Sequence, residues 1–454
     1  MRMTTDRTFD FHDLDALAKS IVHTGMSQEE KALACYDVVR WGMFQYPWVY
    51  NVKERREEWH DATKLLNVYG HGLCGVQART LGALYQKVFG YENQRLIGVN
   101  ECKPGDWELE KEAGAFVFSL MQKNYSSQNP SGHSCVEVFY DGHWHHLDPM
   151  VGFYCYTRDG SRIASLEDTI ADPTLVTQPS RKIKGLMPDG DLGKVFYHSR
   201  FADWGPGPGY FMVMDTRMDV SLQKGQSVTY FWDRTHGQFY WPEIWAERFV
   251  QAYFEGGPRH PNLTESTWRH YGNGTFQTVK DQIGERETLA LPFPYVLVGG
   301  VLQFDAEPST CGILLRCQRD GVCETEVVVH SGKNEMDLGT YVMGGYHLAI
   351  CPRGGAIGNV VVTLHFQHNF ITRPRLLSGE NVVTVSDEGV ESLEVIWEWE
   401  EAGGKSCKDV RCVKPHTSYV ISVGALDWEP PENPKYMKRL EVRHAVEHGR
   451  AIKN

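Results

Sequence analysis

Tyr69-Gly-His-Gly-Leu-Cys74-Gly-Val-Gln-Ala-Arg79 is a glycine-flanked loop that runs into a helix, with the cysteine at the junction. From Val76 the apolar positions Leu81, Leu84 and Val88 follow helical spacing, and Gly90 after Phe89 supplies a C-cap. The spacing places Cys74 at a helix N-terminus. There, unpaired backbone N–H groups and the positive end of the macrodipole favour a thiolate over a thiol. Gly70, Gly72 and Gly75 leave the sulfur uncrowded, as a nucleophile requires. The bland alternative is a small buried hydrophobe.

A nucleophilic cysteine needs a base, and the base an orienting group. Both are found in Gly132-His133-Ser-Cys-Val-Glu-Val-Phe-Tyr-Asp141-Gly142-His-Trp-His-His-Leu-Asp148-Pro149. Asp141-Gly142 between two alternating runs predicts a two-residue hairpin in which Tyr140 pairs with His143. Cys135 then faces Asp148, and His133 is its diagonal neighbour on the same sheet face, within reach of a polar side chain. Val136, Val138 and Leu147 fall on the opposite face and suit a core. His146, opposite Glu137, shares the face of His133 and is a rival base. His143 and His145 project the other way. A histidine-rich strand also suits a metal site, but no second ligand cluster with zinc spacing accompanies it, and neither a metal nor a cofactor is called for.

The order Cys74, His133, Asp148 resembles the transglutaminase-like superfamily of papain-type cysteine enzymes. The resemblance rests on the glycine-led cysteine helix and the Gly-His-x-x-Val-Glu-Val…Asp-Gly-x-Trp…Leu-Asp-Pro hairpin, and it covers roughly residues 30–155. It implies an α+β fold carrying a Cys–His–Asp triad. Such domains often have an aromatic two residues after the histidine, where this chain has Cys135. The superfamily includes hydrolases, cross-linking enzymes and members without catalysis, so the resemblance does not by itself choose an activity.

A chain of 454 residues exceeds a single core and implies several domains. The net charge of −12 argues against nucleic acid or an anionic membrane as the main partner. No apolar run approaches the ~18 residues of a membrane span. Met1-Arg-Met-Thr-Thr-Asp6 lacks the apolar core of a signal peptide, so a soluble protein is expected, either cytoplasmic or with a leader already removed. Eleven cysteines is an odd number. Bridges among Cys311, Cys317 and Cys323, or between Cys407 and Cys412, suit an oxidising compartment, and plain thiols are the preferred reading.

Along the chain, residues 10–23 show helical spacing, and Ser27 with Glu29 and Glu30 reads as the cap of a second helix ending by Pro47. Trp41, Gln45, Tyr46 and Trp59 are candidates for a second oxyanion donor, with core packing the alternative. Gln94–Val99 reads as a strand, as do Ala115–Met121 and Gly152–Tyr156; Leu166–Ile170 reads as a helix. Trp204-Gly-Pro-Gly-Pro-Gly209 marks a boundary between residues 1–205, the transglutaminase-like catalytic domain, and residues 210–454. The second part carries regularly spaced strand signals, starting with Val220–Leu222, that predict an antiparallel β-sandwich region of one or two modules. A helix is expected around Pro242–Phe254, and another in the charged tail Tyr436–His448. The aromatic run from Tyr230 to Tyr271 suits core packing or, if exposed, sugar stacking. Asn124, Asn262 and Asn273 match glycosylation acceptors.

Three functions follow. The first is a cysteine-dependent acyl-transfer enzyme in which Cys74 attacks an amide, His133 moves the proton and Asp148 orients the ring. Hydrolysis of a peptide or amide is preferred over amine transfer, because no calcium-ligand loop is evident. The second is a polysaccharide lyase on the same fold, drawing on His133, His146, Tyr140, Arg79 and His71. The third is a binding or scaffold protein with a vestigial triad.

Overall fold

The computed structural model describes residues 1–43, 61–70, 72, 74–100, 132–150, 152–172, 174–181, 201–204, 216–233, 235–236, 271–318, 322–387, 390–427 and 436–444. The expected strand Ala115–Met121, the boundary residues 205–209, the helix around Pro242–Phe254, and Gln45, Tyr46, Trp59 and His71 lie outside them.

The chain opens with β1 (Arg2–Thr5), followed by α1 (Leu14–Ile21) and α2 (Gln28–Gly42). Asp13 caps α1 through its side chain. Ser27 and Glu30 form a reciprocal capping box on α2, so two backbone donors at its start are satisfied and the acidic first turn meets the positive dipole end. A short turn, α3 (Ala62–Lys64), passes into a π-helical segment, Leu65–Tyr69, and then α4 (Cys74–Phe89). Gly90 ends α4 at φ +97°, its N–H donating to Gln86 O at 3.1 Å.

Next come β2 (Gln94–Asn100), β3 (Gly132–Tyr140), β4 (His143–Leu147), α5 (Leu166–Ala171) and β5 (Phe201–Trp204). The four strands form one antiparallel sheet in the order β4-β3-β2-β5. The β3–β4 hairpin has the register read from the sequence, with Tyr140 opposite His143 and Glu137 opposite His146. Asp141 and Gly142 both take positive φ, +49° and +79°, as the tight turn demands. Gly152–Tyr156 is not a strand. It contributes to two isolated bridges, Asp148 to Phe153 and Tyr156 to Ile163, because the chain doubles back on itself within five residues at the first and seven at the second.

From residue 216 the described chain is mostly antiparallel β. In order, its strands are β6 (Gln226–Phe231), β7 (Tyr271–Ile283), β8 (Leu289–Pro292), β9 (Leu297–Ala306), β10 (Gly312–Gln318), β11 (Val322–Val328) and β12 (Gly332–Asp337). They continue with β13 (His347–Arg353), β14 (Ile357–Asn369), β15 (Gly379–Ser386), β16 (Leu393–Glu401), β17 (Lys405–Val413), β18 (Thr417–Val423) and β19 (Met437–His444). One sheet of eight strands runs β12-β9-β14-β7-β6-β19-β16-β17, beside sheets β11-β10-β13-β8 and β1-β15-β18. The alternation of buried Val360, Val362, Leu364 and Phe366 on β14 turns one face of the large sheet inward. Ile313 and Leu315 of β10 and Val383 and Val385 of β15 join the same core from the smaller sheets. Trp397 on β16 donates its indole N–H to Tyr419 OH on β18 at 3.1 Å.

Two further expectations are corrected. The tail Tyr436–His448 is not helical where described: Met437–His444 is β19, paired on both sides. Its charges are satisfied across the ladder, Arg443 on Glu394 and Arg439 on Glu398, while Met437, Leu440 and Val442 are buried. Val220–Leu222 lies outside any strand but is packed in the core. No disulfide joins the described cysteines, although Cys317 and Cys323 stand opposite each other in the β10–β11 register. No helix among the described residues is long and apolar enough to cross a membrane.

Candidate functional site

Cys74 is the first residue of α4 and is half-buried. Gly72 allows the approach: a Cβ there would lie 2.5 Å from the Val76 side chain, so only glycine fits the turn into the helix. The carbonyl of Gly72 accepts from Gln77 Nε2 at 3.1 Å, which ties the loop to the first turn of its own helix.

α4 covers the face of β3 that bears Ser134, Val136, Val138 and Tyr140. Phe89 stacks on Tyr140 at 5.9 Å, and Val136 and Val138 share a core with Leu81 and Leu84. The helix start reaches the beginning of the strand, where a Cβ on Gly75 would lie 3.7 Å from Ser134 Oγ. Cys135 and Glu137 face the other way, towards α5, and Cys135 packs with Ile97 and Leu166. Burial pushes the Cys135 thiol well up, and Asp148, Glu137 and Cys74 add to it in that order.

Asp148 is fully buried at the end of β4. Its Oδ1 accepts from Met150 N at 3.0 Å, and its backbone exchanges two hydrogen bonds with Phe153, at 2.8 and 2.9 Å. This tight loop fixes the carboxylate beside the strand. The backbone of His133 lies in β3 opposite Val99; its side chain is outside the described residues. The rival His146 is buried opposite Glu137, its ring 6.3 Å from that of Phe153.

The remaining candidates are placed as follows. His145 is buried between Ile163 O and Tyr140 O, at 2.7 and 3.2 Å, and its ring stacks on Tyr140 at 3.7 Å. Burial lowers its pKa, against the pull of the two carbonyls. Arg79 is buried on α4. Trp41 lies on α2 with the Arg40 guanidinium 5.0 Å from its ring. Tyr230 and Trp232 are buried, as core packing predicts. Asn273 is fully buried and its side chain holds His236 N, so it offers no surface for a glycan.

Sequence reasoning did not single out Arg95 on β2. Its Nε donates to Glu137 Oε2 at 2.6 Å and its guanidinium lies 4.2 Å from the Trp144 ring. Glu137 Oε1 accepts from Leu166 N at 2.7 Å, so one carboxylate links β2, β3 and the start of α5. The available signal was an acidic residue at an inward position of an apolar strand.

No protein-family model and no characterised protein matches the chain. Among solved structures, the Ruminococcus gnavus β-glucuronidase matches at 11% identity and a TM-score of 0.13, over 51% of this chain and 44% of that one. An FMN-binding β-glucuronidase from Facaelibacterium prausnitzii L2-6 matches at 13% identity and a TM-score of 0.11, over 50% of this chain and 34% of that one. The chain thus spans less than half the length of either protein, and likeness at this level carries no argument.

Proposed function

We propose that the chain is a cysteine-dependent acyl-transfer enzyme that hydrolyses an amide or peptide bond. In this reading residues 1–205 hold a transglutaminase-like catalytic unit, and residues 210–454 a sandwich-type β region. The observation that carries it is the placement of Cys74: a half-buried sulfur at the first position of a sixteen-residue helix. That helix start lies against Ser134, the residue after His133 on β3, and the neighbouring strand β4 runs on into the buried Asp148.

The chemistry follows from these positions. The sulfur of Cys74 attacks the carbonyl carbon while His133 takes its proton. The backbone N–H at the helix start donates to the developing oxyanion. Collapse breaks the C–N bond, and His133 returns the proton to the leaving amine. Water, deprotonated by the same ring, then cleaves the thioester and frees the acid. Asp148 orients the ring and stabilises its charged form.

The test is twofold. A thiol electrophile should label Cys74 well ahead of the exposed Cys412. On a panel of peptides and amides, Cys74→Ala should cut turnover by about a thousand-fold or more with little loss of folding stability. Turnover that survives Cys74→Ala, including release of unsaturated uronate from polysaccharides, overturns the reading.

A further inference from the structure

The turn that delivers Cys74 is held one residue after another by the β-rich half of the chain. Leu66 O accepts from Asn369 Nδ2 at 2.8 Å. Asn67 Oδ1 accepts from the Arg373 guanidinium. Val68 O accepts from Gln367 Nε2 at 3.3 Å, and the hydroxyls of Tyr69 and Tyr346 lie 2.9 Å apart. Gly70 takes φ +63°, and a Cβ on it would lie 2.6 Å from Asn369 Cγ. Four of these five consecutive residues thus meet β14 or the segment just after it, Tyr69 meets Tyr346 just ahead of β13, and the last of the five stands four positions ahead of the sulfur.

Asn369 is the centre of this grip. It is fully buried, and its Nδ2 also donates to Gly42 O at 2.7 Å, at the end of α2. Its Oδ1 accepts from Ile371 N at 3.1 Å. A π-helical turn is rare and persists where surrounding structure holds it open. Here Gly70 N closes the wide turn on Leu65 O at 2.9 Å, and Asn369 sits against the glycine that does so.

We propose that Asn369 is a positioning residue that sets where Cys74 stands, which makes the β-rich half part of the site rather than an appended module. This rests on Cys74 being the nucleophile. Without the grip, the turn rewinds towards ordinary helix and the start of α4 shifts against β3. The sulfur then loses its fixed relation to the helix N–H groups.

The experiment uses the full chain and two variants. Asn369→Leu removes both donors and the acceptor at similar volume; Tyr346→Phe removes one hydroxyl and keeps the ring. Amide deuterium uptake at residues 66–70 and 74–76 reads the turn. The pH profile of Cys74 alkylation by iodoacetamide, referenced to Cys412 in the same molecule, reads the sulfur. In Asn369→Leu uptake should rise about ten-fold or more, and the alkylation midpoint should move by about half a pH unit with Cys412 unmoved. Tyr346→Phe should raise uptake about three-fold; it decides the matter alone should Asn369→Leu not fold. Unchanged uptake, or an unchanged Cys74 profile in a folded variant, overturns the proposal. Wild-type Cys74 alkylated no faster than Cys412 sinks the acyl-transfer reading instead, and faster uptake in the variants then still supports the grip.

Discussion

Glu137 shows how much a single buried charge organises. Its carboxylate has no solvent exposure, yet it accepts from Arg95 and from the Leu166 N–H. Burial raises its pKa from the ordinary 4.5, against the pull of Arg95 and that N–H. The folded protein therefore keeps this proton to a higher pH than the unfolded chain. The resulting stability is complete below pH 4.5 and is lost as pH rises through the elevated folded value. Glu137→Gln keeps the acceptor for Leu166 and cannot ionise. The wild type should therefore exceed the Gln variant in stability by more at pH 5 than at pH 8, read as urea midpoints; the reverse trend refutes the assignment. Glu137→Ala should cost about 3 kcal/mol, because it removes the short ion pair to Arg95 and leaves the Leu166 N–H without its acceptor. In the sequence, Glu137 was legible as a partner for His146 across the turn, but Arg95 was not. Its relation to Glu137 spans forty-two positions and depends on how β2 docks on β3.

Among elements, those with local chemistry read directly from the sequence. The capping box of α2, the helix beginning at Cys74 and the β3–β4 register each follow from neighbouring residues. Asp141-Gly142 carries a prediction at this scale. The Gly142 position has open space around it, so Gly142→Ala meets no clash and only the positive φ opposes it. The cost should be about 1 kcal/mol, visible as a lower urea midpoint with unchanged slope; a neutral effect would mean that the turn conformation is not enforced. Elements whose identity depends on distant partners were missed. β7 contains Gly272, Asn273 and Gly274 and little apolar periodicity. Gly274 is glycine because a Cβ would meet the Phe366 ring at 2.2 Å, a fact of β14 and not of the local sequence. β17 is an edge strand with mostly exposed residues, and β19 is charged because its neighbours carry the complementary charges. Of the candidate site, the cysteine and the buried aspartate were readable as a motif; the grip on the turn between Leu66 and Gly70 was not.

For the whole molecule, the informative fact is how the two parts of the chain are joined. Core residues from α2, α4 and β3 belong to the same packed cluster as those of β9, β14 and β16. β1 pairs with β15, from Arg2 opposite Ser386 to Thr5 opposite Val383. One packed cluster shared by both parts of the described chain predicts one cooperative transition. Cys155, in the first part, and Cys351, on β13, are both buried. Their thiols should become reactive at the same urea concentration. Exposure of Cys155 at a clearly lower concentration would mean that the parts unfold separately.

The pairing of β1 with β15 also bears on how the chain is made. Residues 2–5 leave the ribosome well before their partners at 383–386, with most of the described chain translated in between. At ordinary elongation speeds that delay is roughly 20–80 s. During it β1 has no native strand to join, so the β1-β15-β18 sheet closes only after β15 has emerged.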